Sequence, residues 1–293
     1  MTTNQLTLKR EIGCDGIGLH TGKKVNLTIK PAEPDSGICF LRVDLPGIPV
    51  IEAKNTQVVA TQLATSLGYN GHRISTVEHL MAALSGLGID NAAIELNAPE
   101  VPIMDGSAYP FVEMIRSAGV ENQQKPKKYL AIKRTIEVRE NGSKITLLPG
   151  EDFKISFTID YDHPLMQNQS LTVVVGDETF INEIGRARTF GFLEEVENLK
   201  KNGFAKGGSL ENAIVIDRSG VLNGDGLRFE DEFVRHKILD LIGDLFLVGM
   251  PIQGHIVAHK SGHTLHQAAV RALLSDPGNF EVITPMNGHC LHA

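Results

Sequence analysis

The sequence predicts an α+β protein built from two domains of similar topology, each a small sheet packed on helices. The chain has 293 residues, and one domain commonly takes about 150. Its 42% hydrophobic and 22% charged residues are typical of a folded globular protein. Both halves repeat one order of elements: strands, a His-bearing helix that ends in glycine, an apolar strand and another helix. We therefore predict domains at residues 1–125 and 126–293.

Local patterns predict the elements of the first domain. Residues 25–30 alternate apolar and polar side chains, as a half-buried strand does. A helix is predicted to begin at Ser75, because Ser75 and Glu78 have the spacing of a capping box. Residues 92–96 then predict a strand, and residues 108–118 a second helix.

The second domain begins after a polar stretch at residues 121–129, which contains a proline and which we interpret as the domain linker. The elements predicted beyond it are three strands at residues 129–138, 143–148 and 153–160, a mixed segment at 191–208, a long helix at 230–248, a strand at 252–259 and a final helix at 264–274.

Charge and cysteine usage narrow the function classes. The net charge of −7 is unlike that of a protein that binds nucleic acid by neutralising phosphates. Cys14, Cys39 and Cys290 have no paired spacing, which favours a reducing cytoplasm. The most apolar stretch, residues 238–248, is shorter than the ~20 residues that span a bilayer. We expect a cytoplasmic protein without an integral membrane segment.

The long helix carries the first candidate metal ligands. His236 and Asp240 are four residues apart, so their side chains are neighbours on the helix. An imidazole nitrogen and a carboxylate oxygen at that spacing suit Zn²⁺. The alternative is an exposed helical face with a His–Asp hydrogen bond and no metal.

The helix of the first domain offers the remaining parts of a catalytic metal site. Such a site needs a third protein ligand and a carboxylate that takes a proton from water. His79 is a candidate for the ligand and Glu78 for the base. Glu78 is equally the capping partner of Ser75, and the sequence does not choose between the two roles.

A third histidine is a candidate proton donor. His263 follows a glycine just before the last helix, and a protonated imidazole there can donate a proton to a leaving amine. Asp244, one turn after Asp240, is a candidate to hold that imidazolium. Other histidines and a cysteine are rival metal ligands: His255, His259 and the tail residues His289, Cys290 and His292.

The glycine-rich segment at residues 13–24 does not match a nucleotide-binding motif. It lacks the glycine and hydroxyl positions of a phosphate-binding loop and the third glycine of a dinucleotide fingerprint. We predict a turn between strands, in which His20 can still face a ligand.

Several motifs together resemble those of the UDP-3-O-acyl-N-acetylglucosamine deacetylase family. They are ISTVEHL at residues 74–80, the segment 89–107, GRARTFGF at 185–192, the segment 226–244 and KSGH at 260–263. The resemblance covers nearly the whole chain. It implies a zinc amidohydrolase that removes the N-acetyl group of UDP-3-O-(3-hydroxyacyl)-N-acetylglucosamine in lipid A biosynthesis.

The resemblance also implies roles for individual residues. His79, His236 and Asp240 would bind one Zn²⁺ per chain, with Fe²⁺ as an alternative metal. Glu78 would be the general base on the zinc-bound water, and His263, oriented by Asp244, the general acid. Thr189 would hydrogen-bond the tetrahedral oxyanion.

The remaining implications concern the substrate. The family fold has two domains that sandwich the site, each with an insert. Residues 191–217 would be the second insert, which from the residues alone reads as an irregular loop and a helix. Lys237 and Lys260 would meet the diphosphate or sugar, and His20 would lie at the same site. Tyr161 stands where the family often has a phenylalanine that stacks on uracil, and Phe190 is also expected to bind substrate. A passage for the acyl chain would be lined by Phe192, Val196, Leu199, Ala205 and Val215. We expect a monomer that binds this small molecule and no nucleic acid.

Two other classes share parts of this pattern. A set of two histidines and one carboxylate also suits an Fe(II) oxygenase, in which the ligands would lie on a run of strands. A non-catalytic nucleotide-sugar binding module would use the same groups as polar contacts without a metal.

Overall fold

The computed structural model describes residues 3–285. The tail residues His289, Cys290 and His292, named above as rival ligands, lie outside this range. The elements of the first half are β1 (Asn4–Leu8), β2 (Ile12–Ile17), β3 (Lys24–Pro31), β4 (Ile38–Arg42), β5 (Val50–Glu52), a 3-10 turn (Asn55–Gln57), β6 (Val58–Ala60), β7 (Ser66–Tyr69), β8 (His72–Ser75), α1 (Glu78–Gly86), β9 (Ala92–Leu96), α2 (Tyr109–Ala118) and β10 (Val120–Pro126).

The second half has as many strands as the first and a longer central helix. Its elements are β11 (Tyr129–Ile132), β12 (Ile136–Glu140), β13 (Ser143–Leu148), β14 (Phe153–Ile159), β15 (Gln169–Val174), α3 (Asp177–Thr179), a π turn (Phe180–Ile184), β16 (Phe190–Phe192), α4 (Leu193–Lys201), β17 (Ile214–Asp217), β18 (Gly220–Val221), α5 (Glu232–Phe246), β19 (Ile252–His259), α6 (His263–Leu274), a 3-10 turn (Pro277–Asn279) and β20 (Phe280–Ile283).

The two halves share one sheet topology, as the order of elements predicted. In the first, the strand order is β2-β3-β9-β4-β5, with β9 antiparallel to β3 and parallel to β4. In the second, β12-β13-β19-β14-β15 repeats that order, and β19 is antiparallel to β13 and parallel to β14. Strands β11 and β20 extend the second sheet. The α+β class with two similar domains is confirmed.

Along the chain, each domain has a small additional sheet between its edge strand and its central helix. In the first domain, β6-β7-β8 lies between β5 and α1; in the second, β16-β17-β18 with α4 lies between β15 and α5. The second insert is therefore ordered into strands and a helix. Its sheet runs from Phe190 to Val221, slightly beyond the predicted bounds of 191–217.

Three local predictions are wrong. Most of the predicted linker forms β10, which pairs with β1; its polar residues fit an exposed two-stranded ribbon. The predicted strand at 129–138 is split into β11 and β12, which pair with different neighbours. The first helix begins at Glu78 and not at Ser75, because Ser75 ends β8 and Thr76 has a φ of +58° that no helix accepts.

The domains meet where α1 packs against α5. Both helices are buried on nearly every side. A Cβ on Gly243 of α5 would lie 2.0 Å from the backbone oxygen of Glu78, so only glycine permits this approach. The contact brings the His-bearing turn of α1 beside the middle of α5. Among residues 3–285, no helix combines the length and the apolar composition that crossing a membrane requires.

Candidate metal centre

Side chains from both helices converge beside this crossing. The Nε2 atoms of His79 and His236 lie 3.5 and 3.3 Å from Asp240 Oδ1. The two imidazole rings are perpendicular, with centroids 5.0 Å apart. All three side chains are buried, and their candidate ligand atoms lie within 4.8 Å of one another. The exposed helical face that remained an alternative for His236 and Asp240 is wrong.

The hydrogen bond of His236 indicates that a cation fits this group. Its Nδ1 lies 3.0 Å from the carbonyl oxygen of Ala187, which can only accept, so Nδ1 carries the hydrogen. Burial lowers the pKa of His236 to about 3, and the neutral ring presents its Nε2 lone pair to Asp240. Two electron-rich atoms 3.3 Å apart repel each other unless a positive ion lies between them. A backbone carbonyl bonded to the other ring nitrogen is typical of a metal-ligating histidine.

The second oxygen of Asp240 has a fixed partner. Lys237 Nζ lies 2.8 Å from Asp240 Oδ2 and 5.4 Å from the centroid of the Phe190 ring. Burial alone would raise the pKa of Asp240, but the Lys237 ammonium beside Oδ2 holds it well below its usual value. The carboxylate is therefore ionised, with Oδ1 facing the two imidazoles.

Glu78 is held by the strand region and not by a helix cap. Its Oε2 accepts a hydrogen bond of 3.0 Å from the backbone N–H of Thr65, whereas the Ser75 hydroxyl bonds Ser66 and Arg73. The capping-box role is thus wrong. Glu78 is 3% exposed, and burial raises its pKa to about 7, close to the pKa that suits a general base at neutral pH.

The predicted pair of His263 and Asp244 is present. His263 Nδ1 lies 2.7 Å from Asp244 Oδ2, and its Nε2 lies 3.9 Å from Glu78 Oε1. Burial by itself lowers the pKa of His263, but the Asp244 carboxylate outweighs burial and raises it to about 9. A protonated imidazole and a carboxylate of near-neutral pKa therefore border one space beside the metal group.

Sequence reasoning missed several residues of this network, among them Thr65 and His266. The hydroxyl of Thr65 donates to Asp244 Oδ1, and His266 Nδ1 lies 2.7 Å from Asp244 Oδ2. His266 stands three residues after His263 on the last helix, and that spacing places both imidazoles on one face, which was an available signal. Thr65 lies in a loop and carried no pattern.

Three aromatic side chains form a cluster beside Lys237. The ring of Tyr161 lies 5.9 Å from that of Phe190 and 6.2 Å from that of Phe192, and Phe190 in turn lies 6.2 Å from His236. The structure therefore brings the three predicted aromatic residues into one cluster next to the metal group.

Thr189 and His20 are placed by contacts between the domains. The N–H of Thr189 donates to the carbonyl of Gly106 at 2.8 Å, a contact that joins the second domain to the first. His20 lies on the turn between β2 and β3, as predicted, and its Nδ1 accepts a long bond of 3.4 Å from the N–H of Ala205. Its ring also lies against Phe204, so the insert closes over this histidine.

The remaining candidates lie further out. Lys260 Nζ forms an ion pair of 2.7 Å with Asp160, directly before Tyr161. Val196 and Leu199 of α4 and Val215 of β17 are half-buried residues of the second insert, in which α4 packs on β16 and β17. His255 bonds Ser156; within residues 3–285, neither it nor His259 belongs to a group of potential metal ligands.

Comparison with known proteins gives one consistent result. A family model described as UDP-3-O-acyl N-acetylglycosamine deacetylase matches residues 5–275. The UDP-3-O-acyl-N-acetylglucosamine deacetylase of Myxococcus xanthus (strain DK1622) is 54% identical over 280 residues, covering 96% of this chain and 89% of that protein. The protein of the same name from Saccharophagus degradans is 52% identical over 282 residues, with 96% and 93% covered. That of Pseudomonas entomophila (strain L48) is 50% identical over 281 residues, with 95% and 93% covered.

Proposed function

This chain belongs to the UDP-3-O-acyl-N-acetylglucosamine deacetylase family, and from that premise we propose how its own residues carry out the reaction. The enzyme is a hydrolase that cleaves the N-acetyl amide of UDP-3-O-acyl-N-acetylglucosamine to the free amine and acetate, a step of lipid A biosynthesis. The observation that carries the assignment of the site is the convergence of His79, His236 and Asp240 from both halves of the chain.

These three residues would hold one Zn²⁺ per chain. Two imidazole nitrogens and one carboxylate oxygen form the donor set of many catalytic zinc sites, and the facing lone pairs of His236 and Asp240 support a cation there. When bound, the ion supplies a Lewis acid that lowers the pKa of water and polarises the amide carbonyl. Fe²⁺ suits the same donors. The ligands lie on helices, unlike the strand-borne ligands expected of the oxygenase alternative.

Glu78 and His263 would divide the two proton transfers. Amide hydrolysis removes one proton from the attacking water and delivers one to the departing nitrogen. Glu78 Oε1 and His263 Nε2 lie 3.9 Å apart, so both reach the same small volume. The Asp244 carboxylate keeps His263 protonated near neutral pH, which assigns the carboxylate to the water and the imidazolium to the nitrogen.

Other residues would stabilise charge and position the substrate. The hydroxyl of Thr189 would donate to the oxyanion, and the ammonium of Lys237, which lies 2.8 Å from Asp240 Oδ2, would meet the diphosphate or sugar. The cluster of Tyr161, Phe190 and Phe192 offers ring faces for uracil.

The outer residues would bind the two ends of the substrate. His20 and Lys260 would meet its polar part, while Val196, Leu199, Ala205 and Val215 would line the passage for the acyl chain within the second insert. We propose that the enzyme works as a monomer. The free thiols of Cys14 and Cys39 and a nucleotide-sugar substrate support a cytoplasmic location.

Metal analysis of single variants tests the assignment. His236→Ala should lose most of the bound metal and the deacetylase activity, because it removes one of the three ligands. His255→Ala is the matched control, since this histidine bonds Ser156 away from the site; it should keep both. Full metal content in His236→Ala would exclude His236 as a ligand. Iron found in the active wild-type enzyme would show that the resident metal is Fe²⁺ and not Zn²⁺.

A further inference from the structure

The carboxylate of Asp244 receives more hydrogen bonds than its role beside His263 requires. Asp244 is 0% exposed. Its Oδ2 lies 2.7 Å from the Nδ1 atoms of both His263 and His266. Its Oδ1 accepts from the Thr65 hydroxyl and, at 3.3 Å, from the amide of Gln267. One oxygen is therefore shared by two imidazoles.

The protonation of both rings follows from the chemistry of their partners. An ionised carboxylate only accepts, so Nδ1 carries the hydrogen in His263 and in His266. His266 Nε2 then accepts from the hydroxyl of Ser261 at 3.0 Å. Burial lowers the pKa of His266, so this ring is neutral. It is 0% exposed, with both nitrogens engaged, and it cannot touch a substrate.

We propose that His266 is a positioning residue for the deacetylation, which fixes the plane of the Asp244 carboxylate and weakens the hold of that carboxylate on the proton of His263. The inference rests on the proposed role of His263 as the general acid. The second donor on Oδ2 draws electron density from the bond to His263. It also stops the carboxylate from rotating, so His263 Nε2 stays directed toward Glu78.

The groups that face His263 allow the effect of a lost hydrogen bond to be distinguished from the effect of a changed charge. They are Asp244 and Asp240 from α5, Glu78 from α1, His266 from α6 and His20 from the turn after β2. Replacing the neutral His266 changes none of these charges. A shift in the titration of His263 would therefore report the lost hydrogen bond to Asp244 and not a new charge nearby.

Two substitutions of His266 form the test. His266→Phe keeps a ring but cannot donate, whereas His266→Asn places an amide nitrogen close to the position of Nδ1 and can still donate to Asp244. In His266→Phe we expect kcat to fall about tenfold, the scale of one hydrogen bond, with KM within about twofold. The alkaline limb of the pH–rate profile should move up by about one pH unit. His266→Asn should restore most of both.

A direct titration gives a readout independent of turnover. In zinc-loaded protein labelled with ¹⁵N-histidine, the titration of His263 should move upward in His266→Phe and stay near the wild-type value in His266→Asn. Ser261→Ala, which removes the outer bond of His266, should move it in the same direction by less, and it carries the test if the phenylalanine variant does not fold. His255→Asn is the control and should change nothing.

The possible outcomes distinguish a failure of the positioning role of His266 from a failure of the role of His263 as general acid. An active wild-type enzyme whose Phe and Asn variants have the same kcat and the same His263 titration overturns the role of His266 alone. A KM that rises while kcat is unchanged overturns it as well, because it indicates a binding role. A wild-type enzyme without an alkaline limb from His263 overturns the proposed general acid itself.

Discussion

Substitution of Gly243 by alanine tests whether the approach of the two helices creates the metal site. The added Cβ would lie 2.0 Å from the backbone oxygen of Glu78, whereas a relaxed C···O contact is about 3.3 Å. Helix α5 must then retreat from α1 by about 1.3 Å at this point. His236 and Asp240 move with α5, while His79 stays on α1.

The size of the effect follows from that displacement. Metal–ligand distances tolerate only about ±0.2 Å, and a misplacement of about 1 Å costs an enzyme roughly 100-fold. The overpacking costs about 1–3 kcal/mol, partly offset by about 1 kcal/mol because alanine favours the helix over glycine. We therefore expect a protein that still folds but has metal affinity and kcat/KM each reduced about 100-fold.

The assay compares metal affinity with stability. Competition against a chromophoric chelator gives the affinity, steady-state kinetics at saturating Zn²⁺ gives kcat/KM, and thermal unfolding of the metal-free protein gives the stability. Gly224→Ala is the control, because a Cβ there meets no atom within 4 Å. Near-native metal affinity and activity in Gly243→Ala would show that the helix crossing does not set the geometry of the site.

Three further outcomes are expected. Glu78→Gln keeps an oxygen for the Thr65 N–H and should keep its metal while kcat falls about 100-fold or more; turnover near the wild-type rate would exclude Glu78 as the base. The rate should rise with pH as Glu78 loses its proton; this limb should lie at or below the metal-free pKa of about 7, because a bound cation lowers that pKa. The rate should fall again as His263 loses its proton at about 9. A flat profile between pH 5 and 9 would refute this division of the two proton transfers. Glu232→Ala leaves the buried Arg188 guanidinium without the carboxylate 2.9 Å from its Nε, so the free energy of unfolding in urea should fall by about 3 kcal/mol, and a loss below about 1 kcal/mol would contradict a structural role for this pair.

The sequence predicted the parts of the fold that depend on local periodicity. The strands at residues 92–96, 143–148 and 252–259 have the predicted bounds, and the long helix is only slightly shorter than expected. The three strands bury alternate residues, so the pattern of side chains and the final structure agree.

The wrong predictions share a physical cause, which is tertiary contact. Ser75 and Glu78 have the spacing of a capping box, yet Ser75 is paired in β8 with Ser66 and the left-handed Thr76 separates it from the helix. Neither fact is visible in a local pattern. The polar segment at 121–129 looked like a linker because β10 pairs on an exposed ribbon and needs no apolar face.

The prediction of the site came from its motifs and not from its geometry, and the roles of its residues stay predictions. Patterns on each helix suggested ligands, but only the packing of α1 on α5 joins them. Thr65 and Ser261, which bond Glu78 and His266, lie in loops, where residue type alone gives no direction. Such supporting residues follow from three-dimensional structure.

The repeated strand order has a consequence for the origin of this centre. Duplication and fusion of one ancestral gene would leave two sheets with matching order, matching strand directions and inserts at the same place in each. In that account the ancestor was a pair of identical chains joined through the helix that became α1 and α5. The single polypeptide then freed each copy to diverge, so that Glu78 and His79 lie on α1 whereas His236 and Asp240 lie on α5. Separately expressed halves that regain metal binding only when mixed would be the surviving trace of that older assembly.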